Sequence, residues 1–363
     1  MKIDNFSAFK IGTVFNPLKI DKAVTAVHKR VCIEYPSRLN AMAIDPSKIV
    51  ENNNMKYTPG EIVFSTQIFI SIEVKFIENS DLIVYRGAGD RETVVRHACN
   101  IMKKALGYTG GFEVDVQGFH NLKHCGLGST GCLQAGVATA INHMFGSPIT
   151  LHRLIKYLAQ NYGEEIDNDL ENLNPVQCIG GSASSGLHKG GVLVIAGENT
   201  VIASADIPEK YQVVIGIPDD FRFVDSKSQF DEEIENLDKF LESGNKYKHE
   251  IAYNVLHSFL PAIQEGDLKK MGDVIFDYRF NKGSIRNCSY TYPGLIDLMN
   301  ELAFLKTEDY VSILSISSVG PTVFAIGEDI RRCEEEFKRC SLRIIKTKIN
   351  NGTYKVVSAD CEY

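Results

Sequence analysis

The 363-residue chain has no CxxC pair, no apolar run of bilayer-spanning length, no low-complexity tract and no internal repeat. Its nine cysteines (Cys32, Cys99, Cys125, Cys132, Cys178, Cys288, Cys333, Cys340 and Cys361) are odd in number, scattered and without clustered histidines. That pattern suggests neither a zinc site nor a disulfide framework and fits reduced thiols. Basic residues are in deficit, 39 Lys+Arg against 46 Asp+Glu for a net charge of -7, which argues against a broad nucleic-acid or anionic-membrane surface but allows a local basic pocket. The opening MKIDNFSAFKIG has no apolar core of signal-peptide length, and runs such as VLVIA (192–196) are far too short to span a bilayer. The expectation is a cytoplasmic protein with neither nucleic-acid nor membrane partners. With 44% hydrophobic and 23% charged residues, the chain is long enough for two packed domains and shows no bias toward disorder.

The most informative stretch is HCGLGSTGC, His124 to Cys132. Before it, GFEVDVQG (111–118) alternates Phe112, Val114 and Val116 with more polar residues, the period of a half-buried strand. After it, Leu133, Val137, Ile141 and Met144 recur at helical spacing, so Ser129 or Thr130 opens an amphipathic helix. A helix start offers unpaired N–H groups and the positive end of the macrodipole, and Gly126, Gly128 and Gly131 let a bulky anion approach the backbone. The pattern holds a pyrophosphate, although a glycine turn before a helix also serves as a plain tight connection. It is neither GxxxxGK followed by Ser or Thr, nor the dinucleotide GxGxxG in a βαβ setting. Cys125 and Cys132, flanking the turn, read as small buried packing residues.

Elsewhere the pattern predicts strands at 31–35, 61–66 and 69–76, a helix from Asp90 to Gly107, and a helix from Thr150. The acidic segment 163–175 reads as a solvated loop or short helix. Strands then cover VLVIAG, TVIASADI and YQVVIGIP, followed by helical patterns at 230–241, 251–263 and 295–302. Strands VSILSISS and VFAI, a charged helix over 328–339 and two closing strands complete the chain. Strands and helices alternate without a βαβ rhythm, which predicts an α+β fold in two lobes, 1–175 and 176–363.

Four segments together resemble the GHMP kinase-like superfamily, and within it the β-ribofuranosylaminobenzene 5′-phosphate synthase-like, C-riboside-forming branch. They are EYPSRLNAMAID (34–45), GLGSTG (126–131), FLPAIQEGDLKKMGDVI (259–275) and SSVGPTVFAIGED (317–329). The resemblance implies a two-lobed fold with mixed and antiparallel sheets and helices packed against them. Four departures stand out. Asn40 occupies a place where the family usually has His, PDDFRFVDSKSQF (218–230) replaces a Leu-Ser-Gly-like turn, and the second glycine stretch (180–191) is short. Where many GHMP kinases carry an Asp before a Gly-Gly pair, this chain reads Gly181-Ser182-Ala183-Ser184-Ser185, without a carboxylate to orient an acceptor hydroxyl.

The resemblance implies transfer of ribose 5-phosphate from phosphoribosyl pyrophosphate to a ring carbon of an aromatic or heteroaromatic acid, with release of pyrophosphate and CO2. The acceptor, a benzoate derivative or a nitrogen heterocycle, stays open. An ATP-dependent small-molecule kinase and a non-catalytic ligand sensor are the alternatives. Phosphate contacts fall to Gly126, Leu127, Gly128, Ser129, Thr130 and Gly131, with Mg2+ as cofactor and Ser129 and Thr130 as its ligands or, equally, as helix caps. Arg38 is the leading cation, because a guanidinium grips phosphate or carboxylate bidentately, and Lys123, His124, His188 and Lys189 are further candidates. Asp45 is placed near the oxocarbenium-like carbon, or is simply a turn residue before Pro46. Ser185, Ser318 and Thr322 complete the proposed contacts, and a homodimer is the prior for assembly.

Overall fold

The computed structural model describes residues 7–18, 20, 24–50, 59–77, 80–87, 91–118, 125–175, 180–221 and 226–360. Lys123, His124 and Asp90 lie outside the described residues, as does part of the 218–230 segment.

Strands β1 (Phe9–Lys10), β2 (Arg30–Ala43), β3 (Glu61–Ile77), β4 (Ile83–Gly87) and β5 (Gly111–Gly118) begin the chain, with helix α1 (Glu92–Leu106) between the last two. Helices α2 (Ser129–Met144) and α3 (Leu151–Ala159) follow, then strands β6 (Glu164–Ile166) and β7 (Asp169–Asn174). Helix α4 (Gly181–Leu187) precedes β8 (Val192–Ala196), β9 (Thr200–Ala205) and β10 (Gln212–Pro218). The last part carries α5 (Ser226–Asn254), α6 (Leu260–Glu265), α7 (Leu268–Phe276), β11 (Ile313–Ile316), β12 (Val323–Gly327), β13 (Leu342–Thr347) and β14 (Lys355–Asp360).

A seven-stranded sheet runs β14-β2-β3-β5-β4, with β8 added beside β3 and β9 beside β8; a four-stranded sheet runs β11-β12-β10-β13, and β1-β7-β6 forms a third. Among the described residues all pairings are antiparallel except β4 with β5. The architecture is therefore the mixed α+β arrangement expected. The large sheet takes β8, β9 and β14 from beyond residue 175, so a boundary at 175/176 does not follow the sheets.

Three expectations are corrected. The runs at 61–66 and 69–76 are one strand: between the pairs Pro36↔Phe69 and Ser37↔Thr66 the register shifts, so β3 bulges around Gln67 and Ile68 where Pro36 cannot donate to the ladder. The acidic segment 163–175 is the β6–β7 hairpin, with the Asp169 carboxylate accepting from the N–H groups of Glu171 and Asn172. The two helical patterns at 230–241 and 251–263 form one continuous helical rod, in which a π-type turn over Val255–Phe259 leads into α6. Pro261 brings no N–H to that ladder, and the widened turn accommodates it.

Helix α2 is not half-exposed: every residue from Ser129 to Asn142, and Met144, is buried. Its Leu133, Val137, Ile141 and Met144 are in the core, while Ala135, Gly136, Ala138 and Ala140 fill the remaining faces with little volume. A Cβ on Gly136 would sit 2.3 Å from Ile72 Cδ1 of β3, so the helix lies directly on the large sheet. Among the described residues no helix is long and apolar enough to cross a membrane.

Candidate functional site

The loop between β5 and α2 turns on two left-handed residues, Gly126 at φ 89° and Gly128 at φ 71°, conformations that cost an L-residue with a side chain. The Gly128 carbonyl accepts from the Cys132 N–H and starts the helical ladder, which leaves the first-turn N–H groups of α2 without helical acceptors. Leu127 points into the core and is fully buried, so it anchors the loop by its side chain.

Three elements wall the loop. From β2, Arg38 Nη1 donates to the Gly126 carbonyl at 2.9 Å; its Nε is buried, finds no hydrogen-bond partner among the described residues, and stands 3.0 Å from where a Gly128 Cβ would be. From α4, Ser182 Oγ lies 2.9 Å from the Gly128 Cβ position and 2.6 Å from that of Gly131. From the segment after β11, Ser317 Oγ donates to the Gly126 carbonyl at 2.6 Å and accepts from the Asn40 N–H at 3.0 Å. Ser318, at φ 57°, donates its N–H to the Asn40 carbonyl. Thr322 is fully buried beside the Cys125 thiol. Burial pushes the Cys125 thiol up, and the Cys132 thiol up to about 11, which leaves both poor nucleophiles.

The other sequence-derived candidates fall elsewhere. The Ser129 and Thr130 hydroxyls accept from Arg91 at 2.8 and 2.9 Å, and Arg91 is also ion-paired with Glu165. The Arg91 guanidinium thus brings positive charge against both hydroxyls expected to ligate Mg2+. Asp45 accepts from both the N–H and the Oγ of Ser47, forming the turn after β2. Ser185 Oγ donates back to the Gly181 carbonyl within α4. His188 and Lys189 sit at the C-terminal end of α4, about 9 Å along the axis from Ser182 at 1.5 Å per residue. His188 Nδ1 bonds the Lys189 carbonyl there.

Sequence reasoning missed three buried groups. Arg91 and Glu165 clamp the start of α2, and all of Arg91 is enclosed. Arg279, in a π-type turn after α7, donates to the carbonyls of Ala41 (2.8 Å), Ile316 (2.9 Å), Asn40 (3.1 Å) and Ser318 (3.1 Å) and to Ser315 and Ser284 Oγ, tying β2 to β11. Glu61 opens β3, is fully buried, and accepts from the Asn40 side-chain amide and the Gly181 N–H. Burial pushes its carboxyl up to about 7, opposed by nearby Arg38 and by the two amide donors.

At the Gly131 side of the loop, a Gly131 Cβ would lie 3.5 Å from the Tyr162 ring, whose Oη donates to Glu164 at 2.8 Å. Burial first and the Glu164 charge second push Glu233, on α5, up to about 7. Among the described residues no three acidic, histidine or cysteine side chains form a ready metal cage.

This arrangement defines a class: an α+β protein with a glycine loop at a buried helix start, walled by segments of the seven-stranded and four-stranded sheets. Residues 92–170 match the family described as GHMP kinases N terminal domain. Galactokinase from Lactococcus lactis, solved with galactose, is similar at a TM-score of 0.64 and 13% identity, over 91% of this chain and 95% of that one. Homoserine kinase from Cytophaga hutchinsonii gives 0.58 and 12%, over 92% and 99%. MDDEF in complex with MVAPP, AMPPCP and magnesium gives 0.60 and 14%, over 91% and 99%. No curated protein sequence matches the chain. Its fold is like that of these solved structures, and residues 92–170 are the segment that matches the GHMP kinases N terminal domain.

Proposed function

We propose that the protein is a GHMP-type phosphotransferase that takes the terminal phosphoryl group of Mg2+-bound ATP to a small hydroxylated acceptor. The observation that carries this reading is the loop itself: two left-handed glycines before α2, with Arg38, Ser182 and Ser317 converging on them. The α2 amides bind the phosphate chain, and Arg38 Nε faces the place where negative charge builds up. Mg2+ would be held by Glu164 and Glu233; their hard oxygen donors fit it, and Mg2+ in such sites retains waters and takes phosphate oxygens, so two carboxylates suffice. When bound, it neutralises charge on the phosphate oxygens. The absence of an acid in Gly181–Ser185 is compatible with phosphoryl transfer through a loose transition state, where positioning and electrostatics do most of the catalysis.

The same stretch favours a second reading, the phosphoribosyl pyrophosphate-dependent C-riboside-forming transferase, since an electron-rich aromatic acid attacks without a strong base. Either reaction uses the loop for a diphosphate. Both readings are of a soluble, cytoplasmic enzyme. The test is incubation with Mg2+ and either ATP plus a panel of small alcohols including homoserine and galactose, or phosphoribosyl pyrophosphate plus aromatic acids. Acceptor-dependent ADP supports the kinase, and acceptor-dependent pyrophosphate supports the transferase. Nucleotide binding without turnover on any acceptor would leave a ligand sensor in their place.

A further inference from the structure

We propose that Glu61 is a positioning residue of the anion cradle that takes up a proton when a diphosphate binds the loop. The inference rests on the loop being the anion site and adds to it a group on β3 that touches no ligand itself.

Three observations converge on Glu61. Its carboxyl group is sealed from solvent, and both oxygens are held by neutral donors, the Asn40 amide and the Gly181 N–H. It has no ion pair among the described residues, and Arg38 is the one charged group there that acts on it. The neighbouring stretches of β8 and α4 present Ile195, in register with Glu61, and Gly181. Both of its partners reach the loop. Asn40 bonds through its backbone to Ser317, which holds the Gly126 carbonyl, and Gly181 precedes Ser182, which abuts Gly128 and Gly131.

A buried carboxylate with only neutral hydrogen-bond donors depends on the nearest cation for its charge. Arg38 is that cation, and its unpartnered Nε faces Gly128. When a diphosphate fills the cradle, its negative charge offsets that of Arg38 and faces Glu61 as a like charge. Both changes favour the neutral acid, so a proton moves from solvent to Glu61. Asn40 tolerates either state, because its amide donates Nδ2–H to a carboxylate and, when flipped, accepts O–H at Oδ1 from the acid. The carboxyl poised near neutrality in the empty site is what makes this uptake visible at working pH.

The test is calorimetric titration of inorganic pyrophosphate into the full-length protein at pH 7.5, in buffers of different ionisation enthalpy, for the wild type, Glu61→Gln and Gly128→Asp. Subtracting the Glu61→Gln result cancels pyrophosphate's own titration. The wild type is expected to take up roughly half a proton more per anion than Glu61→Gln. Equal uptake in the two would overturn the proposal while leaving the loop as the site. Binding unaffected by Gly128→Asp would instead overturn the loop reading. Should Glu61→Gln not fold, the infrared difference spectrum of the wild type decides: a protonated-carboxyl C=O band gained on pyrophosphate addition supports the proposal, and its absence refutes it.

Discussion

The Ser317 hydroxyl donates to the Gly126 carbonyl at 2.6 Å, closing a contact between residues 191 positions apart. The same oxygen accepts the Asn40 N–H, so one hydroxyl joins the glycine loop, β2 and the segment after β11. Ser317→Ala leaves the buried Asn40 N–H without an acceptor, at a cost of about 1–3 kcal/mol. Urea unfolding is expected to show that loss together with weaker pyrophosphate binding, since the Gly126 carbonyl is then held by Arg38 alone. Full stability in the variant would mean that the hydroxyl is a bystander.

Gly128 tests the cradle more directly. Any side chain there meets Ser182 Oγ at 2.9 Å and Arg38 Nε at 3.0 Å, in a backbone conformation at φ 71°. Gly128→Ala is expected to cost about 1–3 kcal/mol from backbone strain, and Gly128→Asp to add repulsion that lowers diphosphate affinity at least tenfold. An unchanged dissociation constant for Gly128→Asp would remove the loop from the mechanism.

Arg279 supports the opposite wall. Its six hydrogen bonds go to carbonyls and hydroxyls of β2, β11 and the segments around Ser284 and Ser318. Arg279→Met strands several buried acceptors and is expected to lose at least about 3 kcal/mol. Arg279→Lys will rescue little of it, because a point-like ammonium with three donors cannot reproduce a planar fork of five. Thermal unfolding of the two variants compares them; a lysine variant as stable as the wild type would show that charge, not the fork, matters.

These residues explain how far the sequence was legible. Gly126 and Gly128 announced themselves because a left-handed turn selects glycine locally, and Arg38 entered through the segment that resembles the family's opening strand. Arg91, Arg279 and Glu61 did not, because their partners are distant in sequence: Glu61 bonds residues 21 and 120 positions away, and Arg279 reaches Ala41 across 238. A lone Arg or Glu in such a stretch has the pattern of a solvated face until the fold encloses it. The acidic 163–175 segment was misread for the same reason, since Glu165 is a buried partner of Arg91. The fold class, in contrast, depends on periodicities spread over many residues and was readable throughout.

Stability against pH carries two opposed slopes from the same domain. Glu61 has its carboxyl raised from 4.5 to about 7, so between those values the folded state binds more protons than the unfolded, and stability falls as pH rises through the window. His97 runs the other way. Its Nδ1 accepts from the Gly12 N–H at 2.9 Å, its Nε2 meets the Asn161 carbonyl at 2.7 Å, and burial lowers it from 6.5 to about 4. Its contribution is complete above 6.5 and is lost as pH falls toward 4. Each shift corresponds to about 3 kcal/mol at full extent, so the two nearly cancel in the wild type over pH 4.5–6.5. Glu61→Gln should expose the His97 slope, with stability rising as pH is raised from 4.5 to 6.5, and His97→Gln should expose the reverse. Urea unfolding of both variants at half-unit pH steps measures this directly. Parallel pH profiles for the two variants would show that neither group is held away from its ordinary titration by the fold.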